Sequence, residues 1–159
     1  NSASAPTTPM AGATPVVVAL IGLPGAGKSD VARALADQLG LRRGCRDTIR
    51  HAMFPSCSYT FAEKRAAFRA TLLALEINCL LGESTVIDGV TFSRRADLVR
   101  VDDTIRRYGF TPIPIYLDCP PRVAHDRITF WQQKGARLSD TVAGLVKKSA
   151  APAAPAPVA

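Results

Sequence analysis

Residues 22–29 read Gly22-Leu23-Pro24-Gly25-Ala26-Gly27-Lys28-Ser29, a fit to the pattern GxxxxGK[ST]. Its setting is what constrains the fold. Val16 to Ile21 is an unbroken, β-branched apolar run, as expected of a strand covered on both faces. From Lys28 onwards Val31, Ala32, Leu35 and Leu39 recur on one helical face until Gly40 stops the helix. A strand that turns through glycines into a helix aims its loop N–H groups inward and adds the positive end of the helix dipole. The pattern therefore predicts a phosphate site lined by the backbone of residues 22–29. Lys28 would reach the β- and γ-phosphates of a nucleoside triphosphate, and the Ser29 hydroxyl would face Mg²⁺.

The rest of the chain repeats the same alternation. A short strand is expected over Leu41–Cys45. Thr60-Phe61-Ala62-Glu63 is a capping box that opens a long helix to about Leu81. A strand follows over Ser84–Val90, a helix over Ser93–Tyr108, a strand over Ile113–Leu117 and a helix from Pro120-Pro121 to about Gln133, with proline in the first turn where no N–H is missed. A last short helix is expected over Ser139–Lys147. Strand and helix in turn predict an α/β domain with a parallel sheet covered on both faces. Residues 1–15 and 149–159 carry no charge and hold six of the twelve prolines, so they read as extended tails around a domain of residues 16–148. The chain opens on Asn1, and Met10 is the candidate natural start.

Composition sharpens this. With 159 residues, 20 Lys+Arg and 13 Asp+Glu, the chain has the length of one domain and a net charge of +7. No apolar run reaches the roughly 18 residues needed to cross a bilayer. The uncharged opening lacks the basic start of a secretory leader. Cysteines 45, 57, 79 and 119 form no CxxC pair, which argues for a reduced cytoplasmic protein with buried thiols rather than a zinc site or a disulfide scaffold. Fifteen of the twenty cations are arginine, which suits phosphorylated ligands and equally suits a GC-rich coding bias.

Several polar residues have two readings. Asp88, ending the third strand, would hold Mg²⁺ or its waters if that strand neighbours the first; otherwise it caps a turn. Asp47, after the second strand, would take the proton of an acceptor hydroxyl or would cap a helix. Arg46 and Arg50 beside it would bind the acceptor or sit on a solvated face. Arg122, Arg127, Lys134 and Arg137 crowd the region after Asp118, where an arginine can close over a transferring phosphoryl group; the alternative is a solvated basic helix. His51 and His125 read as ordinary surface or boundary residues, and Phe130 and Trp131 as core or lid packing. No basic strip interleaved with aromatics stands out, so a nucleic-acid end and a small-molecule hydroxyl remain equal as acceptors.

Four segments, GLPGAGKS, RDTIRHAMFP, VIDGVTFSRR and PIYLDCPPRVAHDRI, together resemble the small P-loop kinases, a group that includes polynucleotide 5′-hydroxyl kinases, zeta-toxin kinases and chloramphenicol phosphotransferase. The resemblance spans Val16 to Ile128. It implies a three-layer P-loop NTPase fold, an ATP-dependent phosphotransferase and an ATP and Mg²⁺ requirement. It implies Asp47 as base and the downstream Arg50 as the acceptor's grip, supports Asp88, and matches Arg127 to the lid arginine. A nucleotide-binding protein without turnover is the alternative.

Three departures from that group stand out. Position 30 is Asp rather than Thr. The second strand is polar, with Arg42, Arg43 and Gly44. After Arg137 no fifth-strand pattern follows, so the group's order 2-3-1-4-5 is expected here as 2-3-1-4, with the fourth strand at an edge. Pro112 and Pro114 suit such an edge. The loop that would grip the base is missing from the pattern as well, so ATP and GTP are expected to bind within about tenfold of each other, roughly 1.4 kcal/mol.

Overall fold

The computed structural model describes residues 14–90, 92, 94–136, 138, 142–144 and 146–147. Its elements run β1 (Val16–Gly22), α1 (Lys28–Leu39), β2 (Arg42–Cys45), α2 (Arg46–Met53), α3 (Phe61–Leu80), β3 (Thr85–Asp88), α4 (Arg95–Arg107), β4 (Thr111–Leu117) and α5 (Pro121–Gln133). The sheet is parallel and ordered β2-β3-β1-β4, as the sequence predicts. Among the described residues it holds four strands.

The apolar run of β1 is explained by its two faces. Val17 and Ile87 face a cluster with Phe68, Leu75 and Cys79 of α3 and Val101 and Ile105 of α4. Their neighbours Val18 and Val86 turn the other way, onto Ala32, Val31 and Leu35 of α1. Strand side chains alternate between faces, so an apolar pair at consecutive positions needs a helix layer on each side. The three layers follow from that requirement.

Helix α3 starts where its capping box requires. The Thr60 hydroxyl accepts from the Glu63 N–H at 3.2 Å, and Glu63 accepts from the Thr60 N–H at 2.8 Å. Strand β4 is two residues longer at its start than the pattern suggested. The Thr111 N–H donates to the Pro15 carbonyl at 3.0 Å, which begins the ladder with β1. Alternation then turns the amide positions of 113, 115 and 117 towards β1 and those of 112, 114 and 116 outward. Pro112 and Pro114 thus fall on the outer edge, where each removes a donor.

All four cysteines are free thiols; Cys79 is buried and Cys45, Cys57 and Cys119 are half-buried, so the expectation of buried thiols holds for one of four. Of the last expected helix, residues 142–144 and 146–147 are helical and the others lie outside the described residues, as do Arg137 and almost all of both expected tails. Among the described residues no helix is long and apolar enough to cross a membrane.

Candidate active site

The site forms at the carboxyl ends of β1, β2 and β3, where the chain leaves the sheet for a helix each time. The first turn, residues 22–29, wraps around the Lys28 side chain. Its Nζ donates to the carbonyls of Gly22 at 3.0 Å and Leu23 at 2.7 Å, which holds an extended side chain in place within the loop. Burial pushes the Lys28 pKa down from its usual value, while Asp88 and Asp47 pull it back up. Gly27, in the left-handed conformation, precedes α1 with no side-chain cap on the helix; the Asp30 N–H turns back to the Gly27 carbonyl at 3.1 Å, which leaves the N–H groups of Lys28 and Ser29 as the helix's donors for a ligand. Gly25 is there for space: a Cβ would stand 2.6 Å from the Ala124 carbonyl, since α5 packs directly on the loop.

Strand β3 supplies Asp88, buried to 1% exposure. One carboxylate oxygen, Oδ1, accepts from the Ser29 hydroxyl at 3.3 Å and the Gly89 N–H at 2.6 Å. The other, Oδ2, accepts from Arg43 Nη2 at 2.9 Å. The neighbourhood of β1 and β3 therefore brings Ser29 and Asp88 together, as their pairing as metal ligands requires. A hydroxyl and a carboxylate oxygen fit Mg²⁺, a hard cation that takes a few protein oxygens and completes its shell with phosphates and water. Arg43 went unrecognised in the sequence. Its signal was the odd polarity of β2: Arg43 pairs in register with Val86, one pleat from Asp88.

Asp47 is the second residue of α2, whose cap position is Cys45, and α2 has no side-chain cap bond. The capping alternative therefore does not describe it. Its Oδ1 accepts from Arg50 Nη2 at 2.6 Å, and the Arg50 guanidinium lies 4.7 Å from the centre of the Tyr59 ring. Stacking and ion pairing from two sides fix Arg50 and orient the carboxylate. A Cβ at Gly89, whose φ is 76°, would lie 3.1 Å from Asp47 Oδ2, so the turn after Asp88 runs against the start of α2. Arg46 lines the same space. Its Nε is buried without a hydrogen-bond partner, and burial lowers its pKa.

Arg127 reaches across from α5. Its Nη2 pairs with Asp30 Oδ2 at 2.9 Å, so the residue that departs from the P-loop kinase pattern is the one that anchors this arginine beside the loop. Lys28, Ser29, Asp47, Asp88 and Arg127 all line one cavity of about 830 Å³. Arg122, Lys134, His51 and His125 do not line it. Trp131 does, and it stands edge-to-face with Phe130 at 5.4 Å; both rings are half exposed, so of the two readings, core or lid packing, they are not core.

The AAA_33 model, described as an AAA domain, matches residues 17–152 of the sequence. The chain belongs to this AAA domain family. Among solved structures, this AAA domain superposes on a candidate kinase of Chloroflexus aurantiacus with TM-score 0.71 and 25% identity, covering 84% of this chain and 75% of that one. It shares its fold with a chain of the Pnkp1/Rnl/Hen1 RNA repair complex, at TM-score 0.71 and 17% identity over 89% of this chain and 47% of that one. The Mycobacterium tuberculosis APS kinase CysC has TM-score 0.59 and 18% identity over 78% of this chain and 74% of that one. The fold is therefore that of the small P-loop kinases.

A further likeness is of another kind. Over 53 residues the chain is 49% identical to the small ribosomal subunit protein bS16 of Methylibium petroleiphilum, which is 33% of this chain and 62% of that protein's length. Neither stretch outside residues 17–152 can hold 53 residues, so the ribosomal likeness overlaps the AAA domain.

Proposed function

We propose that the chain is an ATP-dependent phosphotransferase that moves the γ-phosphate of ATP to a hydroxyl of a small molecule or a nucleic-acid end. One observation carries the reading. Groups for each part of such a transfer, delivered by different elements, meet in one cavity: Lys28 on the phosphate loop, Asp88 on β3, Asp47 on α2 and Arg127 on α5. The loop backbone from Gly22 through Leu23, Pro24, Gly25, Ala26 and Gly27 to Ser29 cradles the phosphates, and Lys28 neutralises them. Ser29 and Asp88 are the protein's ligands for Mg²⁺, which shields phosphate charge when bound.

Asp47 accepts the proton of the acceptor hydroxyl as its oxygen bonds to the γ-phosphorus. The bond from that phosphorus to the β–γ bridging oxygen breaks, and its electron pair leaves with ADP. Arg46 and Arg50 hold the acceptor. Arg127 exchanges Asp30 for the γ-phosphate, where its charge counts in the transition state. The test is transfer of γ-³²P from ATP into a panel of metabolites and 5′-hydroxyl oligonucleotides. Lys28→Ala is expected to weaken ATP binding or abolish transfer in a folded protein; a folded variant with unchanged affinity and turnover refutes the reading.

The ribosomal likeness favours a second reading. A 53-residue segment that is 49% identical to bS16, in a chain of net charge +7, suits a nucleotide-binding protein without kinase turnover that docks on the small ribosomal subunit. Nucleotide-dependent co-sedimentation with small subunits, together with no transfer to any acceptor, would decide for it.

A further inference from the structure

The cavity is larger than a phosphate loop needs, and its charge is uneven. Beyond the loop it continues between α2, α3 and α4, where Arg46, Arg50, Lys64, Arg65, Arg94 and Arg100 face two carboxylates, Asp47 and Asp97. Among the described residues the cavity is lined by nine cations and four carboxylates, a surplus of five positive charges in one recess. The six on the acceptor side come from α2, α3, the cap of α4 and its middle, so no local stretch of sequence displays them together.

These cations are poorly compensated. Among the described residues Arg50 alone of the six makes an ion pair, with Asp47. The Arg46 side chain has a buried Nε with no acceptor. A buried donor without a partner destabilises the fold, and like charges at close range add to that cost. A neutral hydroxyl compound would shut water out of this half and leave the cations facing one another. An anion relieves the repulsion and offers the Arg46 guanidinium an acceptor, and guanidinium groups suit phosphate oxygens above other anions. Tyr59 is already stacked on Arg50 and Phe68 and Phe92 pack with the core, so Phe61 is the exposed aromatic of this half, against six cations.

Resting on the kinase reading, we infer that the acceptor carries a phosphate of its own. It is a phosphorylated alcohol whose free hydroxyl lies at Asp47 and whose phosphate is gripped by the partly buried Arg46 and the exposed Arg94 and Arg100. The phosphate could belong to a nucleotide or to a phosphorylated polyol, and the ligand pairs below separate these sources.

The experiment measures equilibrium binding to the full chain saturated with Mg·AMP-PNP, so that the phosphate loop is occupied. Two pairs are compared: adenosine 3′-monophosphate with adenosine, and glycerol 3-phosphate with glycerol. The phosphorylated member is expected to bind about 10–100-fold tighter, the range of one or two charge-assisted hydrogen bonds, and its affinity alone should fall with added salt. A gap in the adenosine pair only assigns a nucleotide or nucleic-acid end; a gap in both assigns recognition of phosphate alone. Arg46→Gln should close the gap. Should that variant not fold, the double variant Arg94→Gln/Arg100→Gln, at two exposed positions, should narrow it, whereas Arg122→Gln, outside the cavity, should not.

Affinities within threefold across both pairs overturn the inference. So does binding of the phosphorylated member that AMP-PNP abolishes, because the phosphate would then have been sitting in the loop. Failure of AMP-PNP to bind at all refutes the kinase reading instead, and the same pairs then decide the acceptor half without it.

Discussion

At the scale of single residues, the two carboxylates of the site differ in how they are held, and the difference makes them separable by mutation. Asp47 is half exposed and, among the described residues, its side chain pairs with Arg50, so it is the carboxylate that the proposed transfer assigns to the acceptor hydroxyl. Asp47→Asn should keep ATP affinity while cutting phosphoryl transfer by about 10²–10⁴-fold, the range of a general base. Rapid-quench measurement beside a nucleotide-binding titration checks this, and normal transfer rates would leave Asp47 as a surface residue. Asp88 is buried, and Arg43 occupies one of its oxygens. Removing that guanidinium takes a positive charge away from a would-be metal ligand. Arg43→Met should therefore tighten Mn²⁺ binding, read by electron paramagnetic resonance on nucleotide-free protein, by about three- to tenfold, a figure kept low because Arg43 is a third exposed. Arg43→Lys should restore the wild-type value; unchanged Mn²⁺ affinity in the methionine variant would show that the pair does not govern the metal. Lys28, Ser29 and Asp88 were legible in the sequence because spacing and strand position define them. Arg43 was not, because only the β2–β3 register turns a polar oddity into a contact.

At the scale of elements, legibility followed local chemistry. Helix α3 could be read from its first four residues, since a capping box satisfies its own donors without tertiary help. Strand β1 could be read because its apolar run has one buried solution. The start of β4 is less legible, because Thr111 and Pro112 join the strand through the ladder to β1, which the Thr111 N–H opens at the Pro15 carbonyl. The cap also gives α3 a pH signature. The N–H groups of Thr60 and Ser58 bind the Glu63 carboxylate and hold its pKa below the usual 4.5. A carboxylate with a depressed folded pKa adds stability above its unfolded pKa, and this is lost as pH falls through the folded value. Urea unfolding at pH 6 and at pH 3 should therefore show a larger drop for the wild type than for Glu63→Gln, and equal drops would remove Glu63 from the acid response. Thr60→Ala should cost about 1 kcal/mol at neutral pH, the usual loss for an N-cap threonine.

At the scale of the whole molecule, the sheet has two edges, and each is protected differently. Strand β2 is four residues long and carries Arg42 and Arg43, so one edge is short and charged. Strand β4 is seven residues long and half exposed, with Ile113 and Tyr116 open to solvent. Length, exposure and apolar side chains make β4 the edge at risk of pairing with another chain. Its defence lies in the backbone: of the three outward amide positions, 112, 114 and 116, the first two are proline, so the edge offers a partner strand one donor instead of three. Pro112→Thr/Pro114→Ile would return both donors and raise β propensity at positions whose N–H groups have no partner within the sheet. The double variant should keep nucleotide binding, because β4 supplies no residue to the cavity. It should also self-associate at concentrations where the wild type does not, as read by light scattering at matched concentration. Either single variant, with two outward donors, should fall between them. A double variant that stays in the wild-type state at every concentration would show that the prolines do not guard this edge.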